Sequence, residues 1–329
     1  MSVGPTPPVG GPTQGPLVTG QAASAATAPT RLAQAPDPVA TLLTRAVEAA
    51  RADAAIRQAG MGSLLADLAP ALMSATLPAS LKAAIRQVLA FGLPAGAAAD
   101  PAALKAAVAR SGLFLEAQMA RSPGAPPADM KAALLGLQSA LIAAGAAAWA
   151  RPSRAPAPPP SRNGSVAAQS PLAAVLGPED PPDRQLLTLR DETEQALARQ
   201  TLHQLASVPD ETGGARWMFE LPLLTPQGAT IGQLAVERDD PGVGGETAPV
   251  WRARFALDIA PLGPVHVHLR LHEGRSAATL WVERPDSLDR LRGEAIDLAR
   301  ALGGEVAIHP GAPAAAPPPE PGHLVDRSS

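Results

Sequence analysis

The chain has 329 residues, a formal net charge of −3, 38 prolines, 29 glycines and no cysteine. The missing thiol excludes disulfides, thiolate metal sites and cysteine nucleophiles, and the small net charge supplies no bulk field for nucleic acid or anionic lipid. Four Trp, four Phe, no Tyr and a largely alanine-based 46% apolar content exclude a large core over the whole length.

Residues 1–38 are Pro, Gly, Thr and Ala without periodicity and are predicted to be disordered, with neither the basic nor the apolar segment of a cleavable secretory signal. Residues 39–150 read as an Ala-rich helical region. "PVATLLTRAVEAARADAAIRQAG" places Leu43, Val47 and Ala50 on one stripe and offers Gly60 as a stop. "GSLLADLAPALM" and "LPASLKAAIRQVLAFG" follow as short helices. "DPAALKAAVARSGLFLEAQMA" opens with Asp100 as a cap and Pro101 at the first helical position. "PPADMKAALLGLQSALIAAG" has Asp129 at its start and Leu134, Leu137 and Leu141 at helical spacing. Shallow alanine faces predict a loosely packed bundle. The uncharged stretch 132–150 has the length of a membrane span, but only five large aliphatic side chains, so a soluble helix and no stable membrane insertion are expected.

Residues 151–183 are Pro-rich and read as a semi-rigid linker. A helix from about 184 to 206 carries Leu186, Leu189, Leu197, Leu202 and Leu205. From Ala215 the period switches to two: "RWMFELPLL", a weaker "TIGQLAVER", then "VWRARFALDIA", with Trp251, Ala253, Phe255, Leu257 and Ile259 on one face and Arg252, Arg254 and Asp258 on the other. "PVHVHLRLHEG" and "RSAATLWVER" follow, then a helix from about Asp286 to Leu302 and a short strand at "EVAIH". Residues 184–309 thus form a helix plus a C-terminal domain, and 310–329 read as a disordered tail. The fold class is α+β: a small, mostly antiparallel sheet with one packed helix at the C-terminus, preceded by the helical region and disordered linkers.

"HVHLRLH" raises the question of a metal site. In an extended strand Val265, Val267, Leu269 and Leu271 face one way, and His266, His268, Arg270 and His272 the other. A two-residue loop at Glu273-Gly274 pairs His272 with Arg275, Leu269 with Ala278, Val267 with Leu280 and Val265 with Val282, keeping the apolar face continuous. His266 then lies beside Trp281, and His268 beside Thr279. His272 is three pleats, about 20 Å, from His266, and the fixed cation Arg270 sits between His268 and His272, so no metal is expected. The reading is a solvated strand face fit to dock a partner, with Arg252, Arg254, His266, His268, Arg270 and Trp281 as contact candidates. The carboxylate runs at 191–194 and 237–240 read as solvated charge, and the Gly-rich "GVGGE" lacks the helix a phosphate loop needs. No catalytic motif and no cofactor site is expected.

The stretch "LDIAPLGPVHVHL", with Leu257, Pro261, Leu262, Gly263, Val265, Val267 and Leu269, followed by a hairpin and a leucine-spaced helix, resembles the C-terminal domain of the flagellar hook-length control protein (FliK) family over about residues 210–309. The resemblance implies a non-enzymatic regulator of hook length and of the substrate-specificity switch of flagellar type III export. Such a protein is cytoplasmic and exported through the flagellar apparatus without a cleavable signal. Its C-terminal domain contacts the cytoplasmic domain of the export-gate switch protein (FlhB), and hook or hook-cap subunits are further partners. A monomer without nucleic-acid partners is expected. The motif residues read first as builders of the strand and its turn. From the residues alone, a cytoplasmic adaptor using the same basic face is the second reading.

Overall fold

The computed structural model describes residues 38–122, 124, 127–147, 157–160, 165–209, 214–239 and 248–314. The termini expected to be disordered therefore lie outside the described residues, apart from Pro38 and 310–314, and so do the turn cluster 210–213 and the Gly-rich 242–246.

Among the described residues seven α-helices precede the main strands: α1 (Pro38–Arg57), α2 (Gly62–Met73), α3 (Ala79–Leu89), α4 (Pro101–Ala109), α5 (Leu115–Arg121), α6 (Met130–Ala143) and α7 (Pro182–Ala206). The caps fall where the residue chemistry puts them. Asp100 accepts from Ala102 N at 3.0 Å and Ala103 N at 3.3 Å, and Asp129 accepts from Lys131 N at 2.8 Å and Ala132 N at 3.3 Å. The stretch beginning at Asp100 is not one helix but two. Gly112, at φ +93°, breaks it, and its N–H donates to Asp129 Oδ2 at 3.1 Å. No helix among the described residues is long and apolar enough to cross a membrane.

The bundle is not loose. Leu64, Leu68, Leu81, Ile85, Leu134, Leu137, Leu141 and Leu189 are fully buried in one cluster drawn from α2, α3, α6 and α7. Small alanines flank these leucines in the cluster (Ala71, Ala84, Ala133, Ala196), and side chains of little bulk let helices approach closely. Helix α7 lies at the centre, with Leu189, Ala196 and Leu202 buried beside polar Gln185, Arg199, Gln200 and His203. The run at 191–194, expected to be solvated, is mostly interior. Asp191, Glu192 and Thr193 are buried, and half-buried Glu194 accepts from Arg190 at 3.0 Å. The described part of the Pro-rich stretch packs on the folded body. Val166 and Leu176 are buried, and Asp67 Oδ1 accepts from the N–H groups of Val175 and Leu176 at 2.6 and 3.0 Å.

The sheet has seven strands in sequential order: β1 (Leu93–Pro94), β2 (Ala215–Thr225), β3 (Gly228–Asp239), β4 (Val250–Ile259), β5 (Gly263–His272), β6 (Arg275–Val282) and β7 (Gly304–Pro310). β2 to β6 form an antiparallel meander, while β1 and β7 pair in parallel at the edges. The expected α+β class stands, but the sheet is larger than expected, mixed, and packed on the helical half. "TIGQLAVER" is no weak strand: it pairs with β2 along its length, and Ile231 enters the helical core. The expected C-terminal helix is two, α8 (Pro285–Gly293) and α9 (Ala295–Leu302), interrupted at Glu294 just after Gly293.

Alternation along the strands divides the sheet into two faces. On one, α4 and residues 113–114 pack on Phe219, Leu221 and Leu223, while α8 and α9 pack on Val265, Val267, Leu280 and Val282. The opposite face meets α7 and Val166 at β2 to β4.

Candidate protein-interaction face

The β5–β6 register is the one the two-residue loop dictates. His272 lies opposite Arg275, Leu269 opposite Ala278, Val267 opposite Leu280, Val265 opposite Val282, His266 opposite Trp281 and His268 opposite Thr279. Glu273 at φ +48° and Gly274 at φ +76° make the turn. The hairpin therefore presents its valines to α8 and α9 and its imidazoles to the other face.

That second face is less wet than the alternation implied. His266 is buried, and its Nε2 shares a hydrogen bond of 2.9 Å with Glu283 Oε1. His268 is half-buried and meets the Trp281 ring edge-on at 4.6 Å between centroids. Trp281 is itself half-buried, with His309 of β7 on its other side at 5.9 Å. Partial burial lowers the pKa of His268, helped by the neighbouring Arg254 guanidinium and opposed by Glu237, which favours the neutral imidazole that packs on the indole. Arg270 is exposed. Arg252 pairs with Asp239, and Arg254 with Glu237, which also accepts from Arg216 at 2.5 Å. The carboxylates 237 and 239, expected to be solvated charge, thus neutralise the two arginines. At the centre of this face lies an aromatic patch of Trp281, His268 and His309. His309 was legible only once β7 was paired with β6. Among the described residues no group of three or more His, Asp or Glu is placed to hold a metal ion.

The family-type run explains itself structurally. Ala260-Pro261 is a cis peptide, and Pro261 O accepts from Arg284 Nη1 at 3.1 Å. Gly263 sits at φ +76°, and a Cβ there would collide with the aliphatic stem of Arg284. Val265 and Val267 are buried in the cluster under α8 and α9, with Leu262 and Leu269 packed against it; Leu257 is half-buried. Trp251 and Leu271, expected in the core, are instead 37% and 44% exposed. The helices cover the two ends of that face and leave these opposed residues between them. Trp251 stacks on Trp217 at 6.1 Å, with Arg238 over its ring at 5.8 Å.

Sequence reasoning missed a buried polar cluster joining the helices to the sheet. Glu220 of β2 accepts from Arg199 Nε at 2.9 Å, Gln169 Nε2 at 2.6 Å and Gln233 Nε2 at 3.1 Å, with His203 Nε2 at 3.7 Å. Arg199 Nη1 also donates to Gln58 Oε1 at 2.8 Å and Pro158 O at 2.6 Å. Burial by itself would raise the Glu220 carboxyl, but the adjacent Arg199 guanidinium, with His203 and Gln169, holds it far below the usual carboxylate range. Burial pushes the His203 imidazole down, helped by Arg199 and opposed by Glu220. The available signal was the composition of α7, a long helix in which polar and charged residues outnumber leucines, too many for one solvated face.

The C-terminal segment is thus an antiparallel meander closed by a parallel edge strand, with motif residues that build the strand and its turn and an aromatic patch on one face. Residues 224–305 match the family model described as flagellar hook-length control protein FliK. The resemblance carried by Leu257, Pro261, Leu262, Gly263, Val265, Val267 and Leu269 therefore holds for this segment, about a quarter of the chain. No curated protein and no solved structure matches the chain. The match begins at Leu224, near the end of β2, and so omits most of the strand through which the sheet joins α7.

Proposed function

We propose that this protein regulates flagellar hook length and switches the substrate specificity of the flagellar type III export apparatus, without catalysis, through contact of its C-terminal domain with the cytoplasmic domain of the export-gate switch protein (FlhB). The match of residues 224–305 carries the reading. The Trp281 patch supports the mode of contact, since a Trp on a partly open sheet face is the residue type enriched at the energetic centre of interfaces. The contact centres on His268 and Trp281, with exposed Arg270 on the same face of β5. Export through the apparatus without a cleavable signal belongs to the same proposal.

The test is binding of the full chain to the immobilised export-gate domain. Trp281→Ala and, separately, Arg270→Glu are expected to weaken binding at least tenfold, about 1.4 kcal/mol, with an unchanged thermal melt for the exposed Arg270 variant. In cells the same variants should give overlong hooks lacking filaments. Wild-type binding by both variants would refute this face; failure of the unsubstituted chain to bind the gate domain, with normal filaments in a strain lacking the protein, would refute the function itself.

A further inference from the structure

We propose that the groove between α4 and α5 docks a short amphipathic segment of a partner protein, apolar on one side and flanked by carboxylates. The groove has a volume of about 530 Å³, floored by Leu104, Val108 and Phe114 and edged by Lys105, Ala117 and Arg121. It is preformed. Gln118 Nε2 donates to Ala109 O at 3.0 Å between the two helices, and the turn at Ser111 and Gly112 is fixed from α7 by Gln200 Nε2 to Ser111 O and Gln204 Nε2 to Gly112 O, both 3.1 Å. The floor cannot fold inward, because Leu104, Val108 and Phe114 also pack on the cluster of Phe219, Leu221 and Leu223. An apolar surface held open in this way binds without a reorganisation cost.

Charge selects the occupant. Lys105 and Arg121 are exposed cations, and among the described residues no acidic side chain lines the groove. The acid of α5, Glu116, is engaged elsewhere, by Lys131 and by Gln204 Nε2 at 2.5 Å. A chain of net charge −3 thus places two cations at the rim of its apolar groove. An amphipathic helix laid in the groove would bury its apolar stripe on the floor and set its carboxylates against Lys105 and Arg121. The apolar floor offers no donor array for phosphates, which argues against a nucleic-acid occupant. This inference is independent of the proposed export-gate contact, which uses other elements.

The probe is a synthetic peptide about four helical turns long, with leucines on one face and glutamates on its flanks, compared with the same peptide carrying lysines for glutamates. Titrated into the full chain at low salt, the acidic peptide is expected to shift the methyl resonances of Leu104 and Val108 saturably. Lys105→Glu with Arg121→Glu, two exposed changes expected to leave the melt unchanged, should weaken that binding at least about tenfold and admit the lysine peptide. Ala117→Arg should block both. Equal binding of the two peptides, or no saturable shift with either, would overturn the proposal. So would peptide-free shifts that grow with protein concentration, which would make a second copy the occupant. Shifts on removing residues 315–329, which contain Leu324, Val325 and Asp326, would overturn it in favour of the chain's own tail.

Discussion

The Ala-rich helical half and the C-terminal end of the sheet are held together differently. The largest fully buried side chains come from α2, α3, α6, α7 and β2, whereas α9 contributes no buried residue and leaves Ile296 75% exposed. The segment that matches a known family is thus the more thinly covered one. Recognisable sequence and packing density answer to different constraints. A turn that needs Gly263 and a strand that needs alternating valines leave a written pattern, while a helical core accepts any leucines of the right volume and spacing. Besides the apolar contacts of Ile231 and of α4, the Glu220 cluster joins helices to sheet, a strand carboxylate shared by α7, β3 and the stretch around Gln169.

The strongest way to break that join is Glu220→Gln. It leaves Arg199 charged and buried without its counter-ion, and about 3–5 kcal/mol should be lost in urea denaturation at pH 7. Replacing both partners by apolar residues, Arg199→Met with Glu220→Leu, should cost less than that single change. A loss below about 1 kcal/mol for Glu220→Gln would show that the cluster does not couple the two regions.

The contrast in packing is sharpened by matched truncations. Leu137→Ala in α6, where the side chain is fully buried, should cost about 3 kcal/mol, and Leu298→Ala in half-buried α9 about 1. Equal losses would erase the distinction drawn here.

The smallest effect is a pH slope. Because His203 is harder to protonate folded than unfolded, the unfolded chain takes up the proton first, and stability falls as pH drops below the ordinary value of 6.5. The limiting slope for one proton is about 1.4 kcal/mol per pH unit. Glu220 acts in a separate, lower window. Its contribution is intact above the ordinary glutamate value of 4.5 and is lost as the pH falls toward its depressed folded value. His203→Gln should therefore flatten the stability profile between pH 6.5 and 5 and leave the steeper acid loss in place; an unchanged profile would mean that the imidazole is not carried neutral into the fold.

The hairpin register, the caps at Asp100 and Asp129, and the strand-building role of Pro261, Gly263, Val265 and Val267 were all legible in the sequence. Each rests on neighbours within a few residues: a two-residue loop fixes pairing, a carboxylate caps the N–H groups that follow it, and a glycine marks a positive φ. The tertiary structure alone decided that His266 is buried, that Trp251 and Leu271 are exposed, that Arg252 and Arg254 are neutralised by Asp239 and Glu237, and that Arg199 meets Glu220. Alternation tells which face of a strand a side chain occupies, but not what covers that face. Cover comes from helices brought in over long sequence separations, and neither their reach nor the pairing of distant charges is written in a local period.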